Sequence, residues 1–175
     1  MNPLCIYHGN CDDGFAAAWV VRSRAPFFEF HAGVYQQAPP DVTGRHVLLV
    51  DFSYKRPTLL EMATKARSIV ILDHHKTAAE DLAGFREPAP FNEWDRDCNP
   101  LIESDAEPIA ALFDMNRSGA GLTWDFLFAG SPRPKFIDYI ESYVYALAKT
   151  LFFESFVHGL GAGLRIIQFL VVDPE

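Results

Sequence analysis

The run HVLLVDFSYKRPTLLEMATKARSIVILDHH, residues 46–75, reads as strand, helix, strand. His46 to Phe52 has a continuous apolar centre, the pattern of a strand covered on both faces rather than one. Pro57 opens a helix whose Leu59, Leu60, Met62, Ala63 and Ala66 supply an apolar face at 3.6-residue spacing. Ser68 to Leu72 is a second run rich in aliphatics, and it leads directly into Asp73-His74-His75. Two such strands joined by a helix predict a right-handed crossover and a parallel pair.

The same grammar extends toward the N-terminus. Leu4 to Tyr7 is a short apolar run ending at His8 and Gly9; the loop with Asp12-Asp13-Gly14 follows, and Phe15 to Val21 is rich in helix formers. Phe27 to Val34 follows Pro26 and reads as a further strand, with a turn at Ala38-Pro39-Pro40-Asp41 and Gly44. The expected fold class is therefore α/β: a doubly wound, mostly parallel sheet with helices on both faces. Residues 83–108 are rich in Pro, Asp, Glu and Asn and read as loop with short elements. Ser118 is a candidate N-cap for a helix to about Phe128, stopped by Gly130-Ser131-Pro132. Pro134 opens another, to about Lys149, with Phe136, Ile137, Ile140, Val144, Leu147 and Ala148 on one stripe.

The expected organisation is one α/β domain over residues 1–130 and a helical C-terminal extension over 131–175. Leu151 to Val172 is nearly all apolar or Gly but is broken by Glu154, His158, Arg165 and Gln168. It is too interrupted for a membrane span and reads as a buried helix or final strand, so no membrane partner is expected. The chain has 175 residues, 49% of them hydrophobic, enough for a core without staples. Its formal net charge of -8 opposes long polyanions, since nonspecific nucleic-acid affinity comes from Lys and Arg on phosphates. Long duplex nucleic acid is thereby disfavoured, and a phosphate ligand would be small and need local positive charge. Cys5, Cys11 and Cys98 are an odd number without paired spacing, and residues 1–10 lack a basic region followed by a long apolar run. The expected location is cytoplasmic and reducing.

The polar residues fall where the strands end. His8 with Asp12 and Asp13 follows the first strand, Asp51 ends the third, and Asp73-His74-His75 ends the fourth. In an open parallel sheet the carboxyl ends of neighbouring strands face one crevice. Taken singly each has an ordinary reading: a satisfied His, a cap, an Asp-Gly turn. Gathered together they are a cluster of imidazoles and carboxylates whose like charges raise pKa values and oppose folding unless a cation sits among them. Mixed His and carboxylate donors suit Mn²⁺, Fe²⁺ or Zn²⁺ better than Ca²⁺.

Residues 6–19 (IYHGNCDDGFAAAW), 48–54 (LLVDFSY) and 71–77 (ILDHHKT), in this order, resemble the first three motifs of the DHH phosphoesterase superfamily, and 116–124 (NRSGAGLTW) resembles the segment that follows them. The resemblance covers roughly residues 4–130, making this the DHH-like catalytic domain. It implies a metal-dependent hydrolase of phosphodiester or phosphoanhydride bonds, typically with two Mn²⁺ ions. The implied substrate is a small nucleotide, oligonucleotide or pyrophosphate-like compound. Carried over by motif, His8 and one of Asp12 and Asp13 are first-motif ligands, Asp13 being favoured because Gly14 and a small-residue helix follow it. Asp51 corresponds to the carboxylate bridging two metals, His74 to a second-site ligand, and His75 to the group facing the transferring phosphate, supported by Asp73. Lys76 and Arg117 are candidate phosphate contacts. Cys11 stands in the acid-bearing region of the first motif, either as a thiolate or as a small buried residue. A fourth-motif ligand has only Asp138 and Glu141 as candidates. The extension is a divergent or truncated counterpart of the family's second lobe, whose substrate loop residues 158–163 (HGLGAG) resemble in composition alone; a partner copy in a homo-oligomer is one way to complete the cleft. The alternative expectation is a catalytically degenerate module that binds metal or nucleotide.

Overall fold

Strand β1 (Leu4–His8) is followed by α1 (Asp12–Arg24), β2 (Glu29–Gly33), β3 (His46–Val50), α2 (Arg56–Ala63), β4 (Ser68–Asp73), α3 (Lys76–Asp81), β5 (Ile109–Phe113), α4 (Gly119–Leu127) and α5 (Lys135–Val157). The computed structural model describes residues 1–94 and 108–157, with side chains as far as 146. The strands form one five-stranded sheet in the order β2-β1-β3-β4-β5, every pairing parallel. This is the α/β architecture expected.

Strand alternation divides the core in two. Cys5, Leu48 and Val70 lie side by side and pack against Ala16, Ala17, Val20 and Val21 of α1, Leu122 and Trp124 of α4 and Ile137 of α5. Ile6, Leu49 and Ile71, one residue further along each strand, face the opposite side with Leu59 and Met62 of α2. Apolar residues at every position of the central strands follow from this two-sided burial. Leu48, Leu49, Val70 and Ile71 each keep 2% or less of their surface exposed. Ala-rich α1 lies close to the sheet because its inner face carries only small side chains; at its start a Cβ on Gly14 would overlap the carbonyl of His8, so this approach requires glycine.

Several elements differ from the sequence reading. β2 is shorter than 27–34. β3 stops at Val50 because Asp51 adopts the left-handed conformation, φ 54°. α3 was not expected: Lys76 to Asp81 bury nothing and carry no apolar stripe. β5 was also not expected, because five apolar residues between Pro108 and Asp114 gain a strand's identity only through their register with β4. α5 continues beyond Lys149 to Val157, so residues 151–157 are helix; the rest of the 151–172 expectation, the 158–163 loop and Cys98 lie outside the described residues. Among the described residues no helix is long and apolar enough to cross a membrane.

Candidate metal centre

The chain leaves β1 for β2 on one side and returns to β3 on the other, so β1 and β3 flank the point where strand order reverses. A crevice opens at the carboxyl ends of such a pair. His8 is the last residue of β1, Asp51 the first after β3, and Asp73 ends β4 beside them.

Two groups of donors converge there, each with ligand atoms within 4.8 Å of one another: His8, Asp51 and His75, and Asp13, Asp51 and His74. Asp51 belongs to both. Its Oδ2 lies 3.5 Å from His8 Nδ1, and its Oδ1 lies 3.0 Å from His74 Nε2. Cys11 directs its thiol to Asp51 Oδ2 at 3.6 Å. The left-handed backbone at Asp51 is uncommon for a residue with a side chain and marks a place where the surroundings enforce the geometry. Gly119 makes room for its side chain, since a Cβ there would overlap the Asp51 carboxylate.

Asp13 is 3% exposed and has a second task. Its Oδ2 accepts from Gly119 N at 2.7 Å and its Oδ1 from Ala120 N at 2.8 Å, the first donors of α4. Ser118 Oγ accepts the next, from Gly121 N at 3.0 Å. Asp13 therefore clasps α1 to α4 while its Oδ2 stands 3.6 Å from His74 Nε2. Asp73, fully buried, gathers three donors on Oδ1: His74 N at 2.7 Å, His75 N at 3.2 Å and His75 Nδ1 at 2.6 Å. Since a carboxylate only accepts, His75 Nδ1 is the donor to Asp73, and Nε2 is the ring nitrogen outside this contact.

Charge is concentrated and unevenly shared. Asp51 beside it, with Cys11, holds the His8 ring well above its ordinary 6.5, pushed up to about 10. Burial pulls His74 down, but Asp51, with Asp13 and Asp73, outweighs it and lifts the ring above its usual value. Burial likewise pushes Asp51 up, yet the neighbouring His74 and His8 rings hold its carboxyl below the ordinary range. Asp13 is raised, by burial first and by the Asp51 charge second, against the two α4 amides.

The donor set fits divalent cations. His8 Nδ1, Asp51 Oδ1 and Asp73 Oδ2 are buried without a well-directed hydrogen bond. Buried polar atoms are rarely left so, and a cation between the triads would satisfy those of His8 and Asp51.

Other expected residues fall elsewhere. Asp12 begins α1 on its exposed side and joins neither triad, whereas Asp13 is the acid that lies at the cluster. Asp138 is exposed on α5, and Glu141 is held by Arg133 Nη1 and Ser118 N; among the described residues neither joins a triad. The reason is register: α5 packs its Ile137 and Ile140 inward, and the Glu141 side of the helix meets an arginine pair instead. Arg117 reaches Asp125 at 3.2 Å and Glu141 at 3.7 Å, so its expected role as a phosphate contact yields to this ion-pair cluster. Lys76 is exposed on α3, with Glu80 at 3.9 Å as its ion-pair partner.

The sequence reading missed the groove beside the cluster. Tyr35, after β2, sets its ring edge-on to His8 with centroids 5.1 Å apart and against Phe52 at 4.9 Å. Burial, then the charges of Asp73 and Asp51, push its phenol up to about 12. The rule that strand ends carry the site, applied to β2 as well, points to this residue.

No protein-family model matches the chain. Uncharacterized protein R106 of Acanthamoeba polyphaga mimivirus is 27% identical over 158 residues, covering 79% of this chain; the chain spans only 32% of that relative's length. The crystal structure of an uncharacterized protein from Helicobacter pylori G27 superposes with a TM-score of 0.51 at 16% identity, over 81% of this chain and 41% of that one. That likeness concerns the fold alone, and the functional reading rests on the site.

Proposed function

We propose that this chain is a divalent-metal-dependent phosphohydrolase of the DHH phosphoesterase type, acting on a phosphodiester or phosphoanhydride bond of a small nucleotide, oligonucleotide or pyrophosphate-like substrate. The observation that carries this reading is Asp51, 1% exposed and within reach of two separate donor triads. His8, His75 and Asp51 would hold one ion, and Asp13, Asp51 and His74 a second. Mn²⁺ suits this mixed donor set. Such ions supply an activated water and neutralise phosphate oxygens during in-line attack.

The remaining chemistry belongs to the chain. Asp51 presents one oxygen toward His8 and the other toward His74, so a single side chain couples the two positions. Asp73 orients the His75 ring through its Nδ1, so Nε2 is the nitrogen left for another partner. Tyr35 and Phe52 pack against the His8 ring and help to hold it in place.

Purified protein assayed with Mn²⁺ against short oligonucleotides, cyclic dinucleotides and pyrophosphate tests the reading. Turnover that depends on Mn²⁺ and disappears in Asp51→Asn, with metal analysis giving two ions per chain, is the expected result. No turnover on any of these, alongside tight metal binding, sinks the enzyme. That outcome belongs to the second reading, a binding module without hydrolysis. It is favoured by one observation: neither Asp138 nor Glu141 adds a fourth protein ligand to the Asp13, Asp51, His74 triad.

A further inference from the structure

The geometry points to a nucleotide-recognition groove beside the metal centre, in which Tyr35 stacks on a base and Lys55 pairs with the phosphate next to the scissile one. This rests on the phosphohydrolase reading and narrows its substrate to a nucleoside ester, away from bare pyrophosphate.

A groove of about 620 Å³ runs from the β2–β3 loop, past the residues after β3, to the start of α3. It shares His75 with the first triad, so the groove and the donor cluster adjoin at that ring. Inorganic pyrophosphate is too small to fill a groove of that size. Its walls are of mixed character. Tyr35 and Tyr54 supply aromatic surface, Gln36 and Gln37 carry amides, and Ser53, Thr58 and Thr77 carry hydroxyls.

Two features favour a base over an aliphatic leaving group. Tyr35 is 47% exposed although His8 and Phe52 pack against its ring; a held, half-exposed aromatic ring is the element proteins use to stack an unpaired base. The adjoining Gln36 and Gln37 offer both donor and acceptor atoms, and among the described residues their side chains make no hydrogen bond, as base-edge recognition requires. Gln36 adopts the left-handed conformation, φ 70°, so the chain bends at this residue.

Lys55 supplies the charge. In a chain of net charge -8, it lines the groove and makes no ion pair among the described residues. The neighbouring cations are already committed. Arg56 donates to the Asp81 carbonyl and stacks on Phe85, and Lys76 faces Glu80. Asp81, the acid of the groove, has one carboxylate oxygen engaged by Arg56 N at 3.0 Å. For an anionic group in the groove, Lys55 is the lining cation, and the hydroxyls of Thr58 and Thr77 can complete its hydrogen bonds.

The test uses the full chain in EDTA, so binding is read without turnover. Three probes are titrated calorimetrically: 5′-phosphorylated diadenylate, adenosine monophosphate and inorganic pyrophosphate. The dinucleotide is expected to bind at least about tenfold more tightly than pyrophosphate. Tyr35→Ala should weaken both nucleotides about tenfold. Lys55→Ala should weaken the dinucleotide more than the monophosphate and flatten its salt dependence. Circular dichroism confirms that each variant is folded, and Tyr35→Phe, which keeps the ring, should bind as the parent does. Equal binding of pyrophosphate and dinucleotide, or variants that bind like the parent, overturns the groove. The two readings fail separately. Binding as described without Mn²⁺-dependent turnover removes the enzyme and keeps the groove; turnover with unchanged KM in both variants removes the groove and keeps the enzyme.

Discussion

At residue scale the unusual position is Asp51. A side chain in the left-handed region costs roughly 1 kcal/mol against glycine, and Ala, with no polar group to bond locally, tolerates it less well than Asp or Asn. In EDTA, urea denaturation should rank Asp51→Gly above Asp51→Asn and both above Asp51→Ala, with about 1 kcal/mol between the extremes. An Ala variant as stable as the Gly variant would show the backbone there to be unstrained. His8 supplies the pH dependence. Its folded-state pKa is raised from 6.5 to about 10 by Asp51 and Cys11, so its contribution to stability is complete below 6.5 and drains away as pH climbs toward 10. Metal-free protein should lose stability over that window, and His8→Gln should show a flatter profile. A slope unchanged by His8→Gln would place the titrating group elsewhere. The identity of these residues was legible in the chain because strand ends are legible. The sequence favoured Asp13 over Asp12 only by motif register, since adjacent helix positions differ by about 100° and the packing of α1 sets which of them turns inward.

At element scale the site depends on how α4 is anchored. Its first donors are met by Asp13 from a different helix and by its own Ser118, so one carboxylate both ties α1 to α4 and faces His74. Asp13→Ala would leave two buried amides without acceptors and is expected to cost about 2–4 kcal/mol in metal-free protein, measured by urea denaturation. By contrast Asp51→Gly, which removes an acid from the same cluster, should cost little. A loss under about 1 kcal/mol for Asp13→Ala would mean the α4 amides find other partners. The Ser118 cap was readable from local chemistry, and the Asp13 clasp was not, because it joins residues 106 positions apart. β5 and α3 escaped for related reasons. Neither carries a periodic pattern of its own; β5 is created by pairing with β4, and α3 starts where Asp73 turns the chain.

At the scale of the whole molecule the parallel sheet is what assembles the centre. Binding of Mn²⁺ to the native state alone should stabilise the chain by about 2.7 kcal/mol per site at a hundredfold excess over Kd. Thermal denaturation with Mn²⁺ and then with excess EDTA reads this; Asp51→Asn should abolish the shift, and a shift that survives in that variant would locate the ion elsewhere. The amino-acid order by itself determined that there would be a parallel, doubly covered sheet, because aliphatic runs at consecutive strands can be buried in no cheaper way. It also determined which titratable residues end those strands. Only the tertiary structure decided that Asp51 is common to two donor groups, that Arg117 and Glu141 satisfy each other's cluster rather than a ligand, and that Tyr35 and Lys55 border a groove opening on His75. Those facts depend on strand order, helix phase and side-chain direction across long separations, none of which local periodicity encodes.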